Sequence, residues 1–310
     1  MPDPTKQTLS ATQTPALFGA SPYITRWMLL RHFIHGDPID GPEHNRMDWG
    51  KRMQPLLLAQ AAEDLHVEVH PNAEDTYVRR GLLGCTRDAE VYCPDRGHGV
   101  LEAKVVFDYA VWMRDWAGGK APPKHVEIQT QQQMMVGDGA RPFTWGVIAV
   151  WVGGEMKYFE RKPIDELWVE INAAAVIFFN DVSARREGDP FGEPVEMPLL
   201  SRLFAPKPGV FLDLTSHPKA AELASKAQLL NYHREQRAAH DRSEKSLKAL
   251  FKATLGDAEE AVLLHGIRVK QKQINKVAYS VKASSYSQLD VDIPETSWAS
   301  PPVSNILAGG

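Results

Sequence analysis

The apolar residues of the first 65 positions recur at the three- and four-residue spacing of amphipathic helices. This pattern predicts a short helix over residues 15–18, which ends at a Gly-Ala-Ser-Pro break. A second helix is predicted to begin near Thr25, and a third near Asp48. Pro55 falls inside the third pattern and predicts either a kink or the first helical turn. The chain is therefore expected to open with helices.

Residues 66–161 contain shorter apolar runs separated by Gly, Asn, Asp and Pro, a pattern that is typical of strands. Strands are predicted over residues 66–69, 77–80, 85–92, 100–106, 145–152 and 156–161. The run at 145–152 is almost continuously apolar, as expected of a central strand that is covered on both faces. Helices are predicted over residues 107–116, 126–136 and 165–180. This order predicts an α/β fold, in which helices flank a central sheet.

The composition changes after this block, and we divide the chain into a core (residues 1–185) and a C-terminal extension (residues 186–310). Pro and Gly residues predict a linker at 188–198. A long polar helix is predicted over 218–255, followed by a strand at 267–274 with a partner strand at 278–291. The extension is therefore expected to combine helix and strand.

The net charge of −4 conceals an uneven distribution along the chain. Residues 226–282 contain 12 Lys and Arg but only 6 Asp and Glu, which gives this stretch a local charge of +6. Arg268, Lys270 and Lys272 alternate along the predicted strand and should project from one of its faces. Such a surface is typical of polyanion binding, although a solvated face explains the same charges equally well.

Two further features concern the cellular setting. No apolar run approaches the roughly 18 residues of a membrane-spanning helix. Residues 1–14 are polar and lack the apolar segment of a secretion signal. The two cysteines, Cys85 and Cys93, are too few to stabilise a chain of this length by disulfides. We therefore expect a cytoplasmic protein that makes no membrane contact.

The strand at 100–106 carries the main candidate chemistry. Because side chains alternate along a strand, Glu102 and Lys104 share one face, and Leu101 and Ala103 point to the other. Asp88 belongs to a neighbouring predicted strand. Two carboxylates beside a lysine suit Mg²⁺, which takes one or two protein carboxylates and keeps several waters. Taken alone, however, a Glu-x-Lys pair on a strand is most often a surface ion pair.

Five segments add a resemblance to this local pattern. They read TPALFGASPY at 14–23, WGKRMQP at 49–55, LGCTRD at 83–88, LEAK at 101–104 and QTQ at 129–131. In this order they resemble the lambda-type exonuclease, or YqaJ-like viral recombinase, family of the PD-(D/E)xK nuclease superfamily. The resemblance covers about residues 12–165 and implies a mixed central sheet with the superfamily's core fold.

The resemblance also implies roles for individual residues. Asp88, Glu102 and the backbone carbonyl of Ala103 would bind metal, Lys104 would be the catalytic lysine, and Gln131 would lie near the attacking water. DNA contacts are expected from residues of the core and of the basic strand: Thr12, Lys51, Arg52, Arg87, Gln129, Arg268, Lys270 and Lys272. Thr12 occupies the position of a serine that contacts the terminal phosphate in the family.

Two residues depart from the family pattern. Gln54 stands where the family has a glutamate, and its neutral amide is a weaker Mg²⁺ ligand than a carboxylate. We expect either one weakened metal site or compensation by a nearby acid such as Glu63 or Asp64. Arg87 replaces a proline next to Asp88, which leaves the carboxylate itself in place.

The resemblance implies an exonuclease of a bacterial or phage-infected cell that degrades double-stranded DNA from its ends, from 5′ to 3′. The product would be a 3′ single strand for recombination. The expected cofactor is Mg²⁺, as two ions that Mn²⁺ can replace, and the expected partners are DNA ends and a single-strand annealing protein. A homotrimer is expected from the same resemblance. The alternatives are a sequence-specific or structure-specific endonuclease of the superfamily, or a homologue that binds DNA without cutting it.

Overall fold

The computed structural model describes residues 8–39, 45–72, 76–204, 211–255, 260–262 and 268–270. Within these ranges the α-helices are α1 (Arg26–His35), α2 (Asn45–Leu65), α3 (Tyr109–Asp115), α4 (Lys124–Val136), α5 (Asp165–Ser183), α6 (Met197–Leu203) and α7 (Ala220–Leu255). The strands are β1 (Leu9–Ser10), β2 (Glu68–Pro71), β3 (Val78–Arg80), β4 (Leu83–Cys85), β5 (Ala89–Cys93), β6 (Gly97–Val106), β7 (Trp145–Val152), β8 (Glu155–Arg161), β9 (Glu260–Val262) and β10 (Arg268–Lys270).

A five-stranded sheet in the order β2-β5-β6-β7-β8 forms the centre of the N-terminal part. Strands β6 and β7 run parallel, whereas every other neighbouring pair in this sheet is antiparallel. Strand β7 is buried along nearly its whole length, as its continuous apolar sequence predicts. The expectation of an α/β fold with a mixed central sheet flanked by helices is confirmed.

The central sheet is covered on both faces. Leu101 of β6 packs with Leu58 and Ala61 of α2 on one face. Val100 packs with Met134 of α4 on the other. Because Glu102 follows the alternation of Val100, it faces α4 rather than α2. This placement brings the strand's polar residues against a buried helix.

Helix α4 lies between the central sheet and a second layer. That layer contains a small sheet in the order β1-β4-β3, together with α1 and α5. Ile128 and Met135 of α4 join a core cluster with Leu29 of α1 and Phe178 of α5. The helix is consequently buried on several sides, including its polar positions, and its buried glutamines must find partners within the protein.

Three details of the sequence-based description are corrected. Residues 85–92 do not form one strand, because β4 and β5 belong to different sheets. Pro55 lies in the interior of α2 rather than in its first turn. Strand β10 pairs with β9, an unpredicted strand, whereas the partner expected at 278–291 lies outside the described residues.

The chain divides into two compact units, Met1–Phe204 and Ala205–Gly310. The division follows residue 204 rather than 185, because residues predicted as a linker pack on the first unit. Leu199 of α6 lies with Trp27 and Met28 of α1. Glu196 is fully buried and accepts a hydrogen bond of 2.6 Å from the Thr25 hydroxyl. In the second unit, the predicted long helix is observed as α7.

Within the described parts of the chain, every helix is too short or too polar to cross a lipid bilayer.

Candidate functional site

Strand β6 places Glu102 and Lys104 on one face, as the two-residue period predicts. The ammonium of Lys104 donates a hydrogen bond to Oε1 of Glu102. The Glu102 side chain retains only 4% of its accessible surface, and that of Lys104 retains 29%. The pair therefore differs from a surface ion pair, since its carboxylate is buried in the protein and only the lysine reaches a cleft.

Asp88 lies at the point where the chain leaves the small sheet and enters the central sheet, directly before β5. Its Oδ2 accepts a hydrogen bond of 2.7 Å from the backbone N–H of Ala103. Its Oδ1 accepts one of 2.9 Å from the side-chain amide of Gln54 on α2. The predicted strand location is thus wrong, but the change of sheet still directs Asp88 to the Glu102 strand.

Two amides of α4 hold the Glu102 carboxylate. Gln129 Nε2 donates to Oε1 at 2.5 Å, and Gln133 Nε2 donates to Oε2 at 2.6 Å. Gln129 also accepts a hydrogen bond of 3.4 Å from Lys104. Residues four apart on a helix share a face, which explains why these two glutamines reach the same carboxylate. Both oxygens of Glu102 are therefore fixed in place.

Gln131 does not belong to this group, contrary to the expectation that it lies beside the attacking water. Its Oε1 accepts a hydrogen bond of 3.0 Å from the N–H of Ile164, and its Nε2 donates to the Lys162 carbonyl at 2.9 Å. Two positions along a helix correspond to a rotation of about 200°. Gln131 therefore anchors the segment that leads into α5, and the site is contacted by Gln129 and Gln133 instead.

The charges of the site are strongly coupled. Burial, followed by the nearby negative charge of Glu102, raises the pKa of Asp88 to about 7. Burial favours the neutral amine of Lys104, but the carboxylates of Glu102 and Asp88 outweigh it and raise the pKa of the lysine. The site thus contains two close carboxylates, of which one is disfavoured as an anion.

This donor set fits a divalent cation, because a cation would stabilise both carboxylates in their ionised form. Among the described residues, no group of three or more His, Cys, Asp or Glu side chains is placed to hold a metal. An ion would therefore be held by Asp88 and Glu102 together with neutral oxygens, such as waters or the expected Ala103 carbonyl. Mg²⁺ commonly binds in this manner.

Two clefts meet the site. The first has a volume of about 690 Å³ and is lined by residues that include Lys51, Gln54, Asn72 and Asp88. The second has a volume of about 580 Å³ and is lined by residues that include Thr12, Tyr23, Lys104, His125 and Gln129. The acidic pair is therefore reached from the α2 side through Asp88, and the lysine from the α4 side.

The second cleft has an aromatic wall that the sequence did not indicate. The rings of Tyr23 and His125 are perpendicular, with centroids 5.8 Å apart. Burial and the neighbouring charge of Lys104 lower the pKa of His125. The hydroxyl of Thr12 lies in the same cleft, 3.0 Å from that of Ser10. Gln133 was also missed, although its spacing of four residues from Gln129 is a usable signal.

The proposed DNA-contacting residues are placed unequally. Arg87 is buried, donates to the Gly137 carbonyl and lies 5.2 Å from the Phe143 ring centroid, so the structure contradicts its expected DNA contact. Lys51 is exposed at the first cleft, and Arg52 is exposed on the same helix. The backbone of β10 contains Arg268 and Lys270, whereas Lys272 lies outside the described residues.

No substitute for the family glutamate comes from the end of α2. Asp64 accepts hydrogen bonds of 2.8 Å from Gln60 and 2.6 Å from the Tyr158 hydroxyl, which together lower its pKa. It lies ten residues beyond Gln54, or about 15 Å along the helix axis. The expectation that Asp64 replaces the missing carboxylate is therefore wrong, and Gln54 itself contacts Asp88.

The geometry defines an α/β protein with two carboxylates and a lysine at adjoining strands of a mixed sheet. Residues 5–140 match the model of the YqaJ-like viral recombinase domain, and this part of the chain belongs to that family. The resemblance drawn from the sequence is thereby confirmed. No curated protein sequence matches the chain.

Solved structures with a related arrangement include two of an alkaline exonuclease from Laribacter hongkongensis. One has 14% sequence identity and a TM-score of 0.45, and it covers 64% of this chain and 94% of that chain. The other, in complex with dAMP, has 15% identity, a TM-score of 0.44 and the same coverage. A phage-related exonuclease from Haemophilus somnus 129PT has 12% identity and a TM-score of 0.44, covering 57% of this chain and 95% of that chain.

Proposed function

We propose that the protein is a metal-dependent exonuclease that hydrolyses phosphodiester bonds from the ends of double-stranded DNA. The observation that carries the proposal is the buried group formed by Asp88, Glu102 and Lys104 between two open clefts. The match to a viral recombinase domain supports DNA as the substrate. The degradation is assigned the 5′ to 3′ direction, which leaves 3′ single strands for recombination.

Each side chain has a distinct task in this proposal. Asp88 and Glu102 hold Mg²⁺, or Mn²⁺ in its place, with up to two ions at the site. A bound ion would polarise a phosphoryl oxygen and lower the pKa of water. Lys104 orients the attacking water and balances the negative charge that develops on the phosphate. Gln129 and Gln133 keep the Glu102 carboxylate in position.

The site is accessible to an end more readily than to the middle of a duplex. Glu102 is buried, and each adjoining cleft has a volume of only about 580–690 Å³. A strand end could enter such a cleft as separate nucleotides, whereas an intact duplex about 20 Å wide could not. We propose a homotrimer and a single-strand annealing protein as the assembly and the partner, on the basis of the family.

The decisive experiment uses purified full-length protein and linear duplex DNA labelled separately at its 5′ and 3′ ends. With Mg²⁺, the 5′ label should appear first as mononucleotides, and covalently closed circles should remain intact. Replacement of Mg²⁺ by EDTA should stop the release. Cleavage of closed circles would favour the endonuclease alternative, and early release of the 3′ label would reverse the proposed direction.

A second candidate is a homologue that binds DNA without cutting it. The observation that favours it is the hydrogen bond from the Gln54 amide to Asp88, at the position where the family has a glutamate. An amide N–H₂ cannot bind a cation, so this contact withdraws one oxygen of Asp88 from metal binding. Tight binding to DNA ends with no product at any Mg²⁺ or Mn²⁺ concentration would support this candidate.

A further inference from the structure

Helix α7 carries most of its positive charge on one face. It is 36 residues long, and nearly all its side chains between residues 233 and 250 are exposed. At 100° per residue, five basic positions fall within an arc of about 80°. We define this basic face as Arg234, Arg237, Lys245, Lys248 and Lys252. It extends for about 27 Å along the helix axis, at 1.5 Å per residue.

The opposite face of the same helix is apolar. Tyr232, Leu247 and Leu250 lie about 140–200° from the centre of the basic face on the helical wheel. Positive charge and apolar surface are therefore segregated, whereas a helix that only needs to be solvated can distribute its charges around the axis. Asp241 lies within the basic face, and Glu244 at its edge pairs with Lys248. The face keeps a net positive charge despite these two acids.

We propose that this basic face binds the phosphate backbone of DNA, an inference that rests on the proposed function. A B-DNA duplex carries one negative charge per about 1.7 Å of its axis, so 27 Å of helix meets a dense row of phosphates. Lysine and arginine at such a row release condensed counterions, which supplies affinity without sequence preference. The ligand is a DNA phosphate backbone, from either the duplex substrate or the single-stranded product.

The test measures binding of the full-length protein in EDTA to a 20-base-pair duplex and to a 20-nucleotide single strand. The variant carries Arg237→Gln, Lys245→Gln and Lys248→Gln together. Its dependence of log Kd on log salt should weaken by up to about 0.9 per lost duplex contact and about 0.7 per lost single-strand contact. The arm with the larger change identifies which DNA the basic face binds. Circular dichroism should show unchanged helix content.

A gain-of-affinity pair provides a control that misfolding cannot imitate. Asp241→Asn removes an acid from within the basic face, and Glu235→Gln removes one about 100° away on the same helix. Both variants change the net charge equally. Asp241→Asn should strengthen binding at low salt several-fold, and Glu235→Gln should change it clearly less.

Equal effects of the two control variants would overturn the proposal, as would an unchanged salt dependence in the triple variant, because α7 would then be a solvated helix. The proposed function fails separately. If the unaltered protein binds DNA with the expected salt dependence but releases no nucleotide with Mg²⁺, the basic face stands and the nuclease does not. If the unaltered protein binds neither DNA, both are overturned.

Discussion

Burial of the carboxylate distinguishes the candidate site from an ordinary ion pair at the level of single residues. The chain contains a second Glu-x-Lys, Glu155 and Lys157 on β8, whose side chains form an ion pair at 2.6 Å. The Glu155 side chain is 69% exposed, whereas that of Glu102 is 4% exposed. The same three-residue pattern therefore occurs once on the surface and once in the interior. Only the interior copy lies beside another carboxylate.

This comparison gives a matched test of the catalytic assignment. Glu102→Ala and Lys104→Ala should each lower cleavage of linear duplex DNA by about 10²–10⁴-fold, the usual range for loss of a positioned catalytic group. Glu155→Ala and Lys157→Ala remove the same side chains from an exposed pair and should leave the rate within about twofold of the parent. The measurement is nucleotide release at saturating Mg²⁺. Near-parental activity of either core variant would remove that residue from the mechanism.

Gln54 allows a test of the metal site by addition rather than removal. Gln54→Glu replaces the amide that donates to Asp88 at 2.9 Å with a carboxylate. The added charge should lower the Mg²⁺ concentration for half-maximal activity by about tenfold, which corresponds to about 1.4 kcal/mol. Gln60→Glu adds the same charge farther along α2 and should leave the midpoint unchanged. Equal midpoints for both variants and the parent would place Gln54 outside the metal's surroundings.

The row of glutamines in α4 separates a positioning role from a structural one. Gln133 and Gln132 are adjacent and equally buried, but Gln133 donates to Glu102, whereas Gln132 donates to the carbonyls of Leu9 and Gly84. Gln133→Leu should reduce metal affinity or turnover by about 10–100-fold, the usual cost of losing a partner of a metal ligand. Gln132→Leu should lower the unfolding temperature while preserving turnover of the folded protein.

The two variants are compared by Mg²⁺ titration of activity and by thermal unfolding. A right-shifted Mg²⁺ midpoint for Gln133→Leu alone would establish that the amide acts through Glu102. If both variants lose stability and activity in parallel, Gln133 is a packing residue and its contact with Glu102 has no separate effect.

At the scale of elements, hydrophobic patterning predicted what packing on one continuous surface decides. Strand β7 has the predicted bounds because its side chains are apolar on both faces. The change of sheet between β4 and β5 was not predictable, since residues 83–93 have β-favouring residues throughout and nothing local indicates two sheets. Asp88 was nevertheless placed near Glu102, because the motif order fixes their neighbourhood even where the strand assignment fails.

Side-chain direction in α4 explains the remaining errors in the site. The motif indicated Gln131, but its selection ignored helical geometry, in which Gln129 and Gln133 share a face. Arg87 was expected at DNA because most arginines are exposed. Its burial depends on a carbonyl of the loop after α4 and the ring of Phe143, both distant in sequence. Such contacts are set by tertiary structure and leave no local signal.

Glu196 links the segment after α5 to the start of α1. Its carboxylate accepts hydrogen bonds from Thr25 at 2.6 Å and from the backbone N–H groups of Gly192 and Glu193 at 2.8 and 3.2 Å. Glu196→Ala should lower the free energy of unfolding by about 2 kcal/mol, because hydrogen bonds to charged groups contribute about 1.5–3 kcal/mol each and water can replace part of them. Glu166→Ala, at an exposed position in α5, should cost less than about 0.5 kcal/mol.

The measurement is urea unfolding of full-length protein, followed by circular dichroism. Nuclease activity of the folded Glu196→Ala variant should persist, since Glu196 has no contact with Asp88, Glu102 or Lys104. A change in stability equal to that of Glu166→Ala would show that residues 191–196 do not depend on this carboxylate for their attachment to α1.

At the scale of the whole molecule, chemistry and positive charge lie in different units. Residues 1–204 contain 21 Lys and Arg and 28 Asp and Glu, which gives a net charge of −7. Residues 205–310 contain 14 and 11, which gives +3. The candidate catalytic residues all belong to the negative first unit. A nuclease with this distribution requires its second unit to offset the repulsion between DNA and the unit that cuts it.

This division leads to a prediction for a fragment comprising residues 1–204. It should fold cooperatively, because every buried cluster among the described residues lies within it and α6 closes that core at Leu199. It should release nucleotides from linear DNA at low salt, since Asp88, Glu102 and Lys104 keep their partners. Its activity should decline more steeply with salt than that of the full chain, because the lost unit carries the basic face and β10. The measurement is nucleotide release between about 20 and 200 mM salt, a range in which phosphate contacts lose most of their contribution. Full-length and fragment curves that coincide at every salt concentration would mean that the first unit binds DNA unaided, and a fragment that does not fold would show that the second unit contributes to the stability of the first.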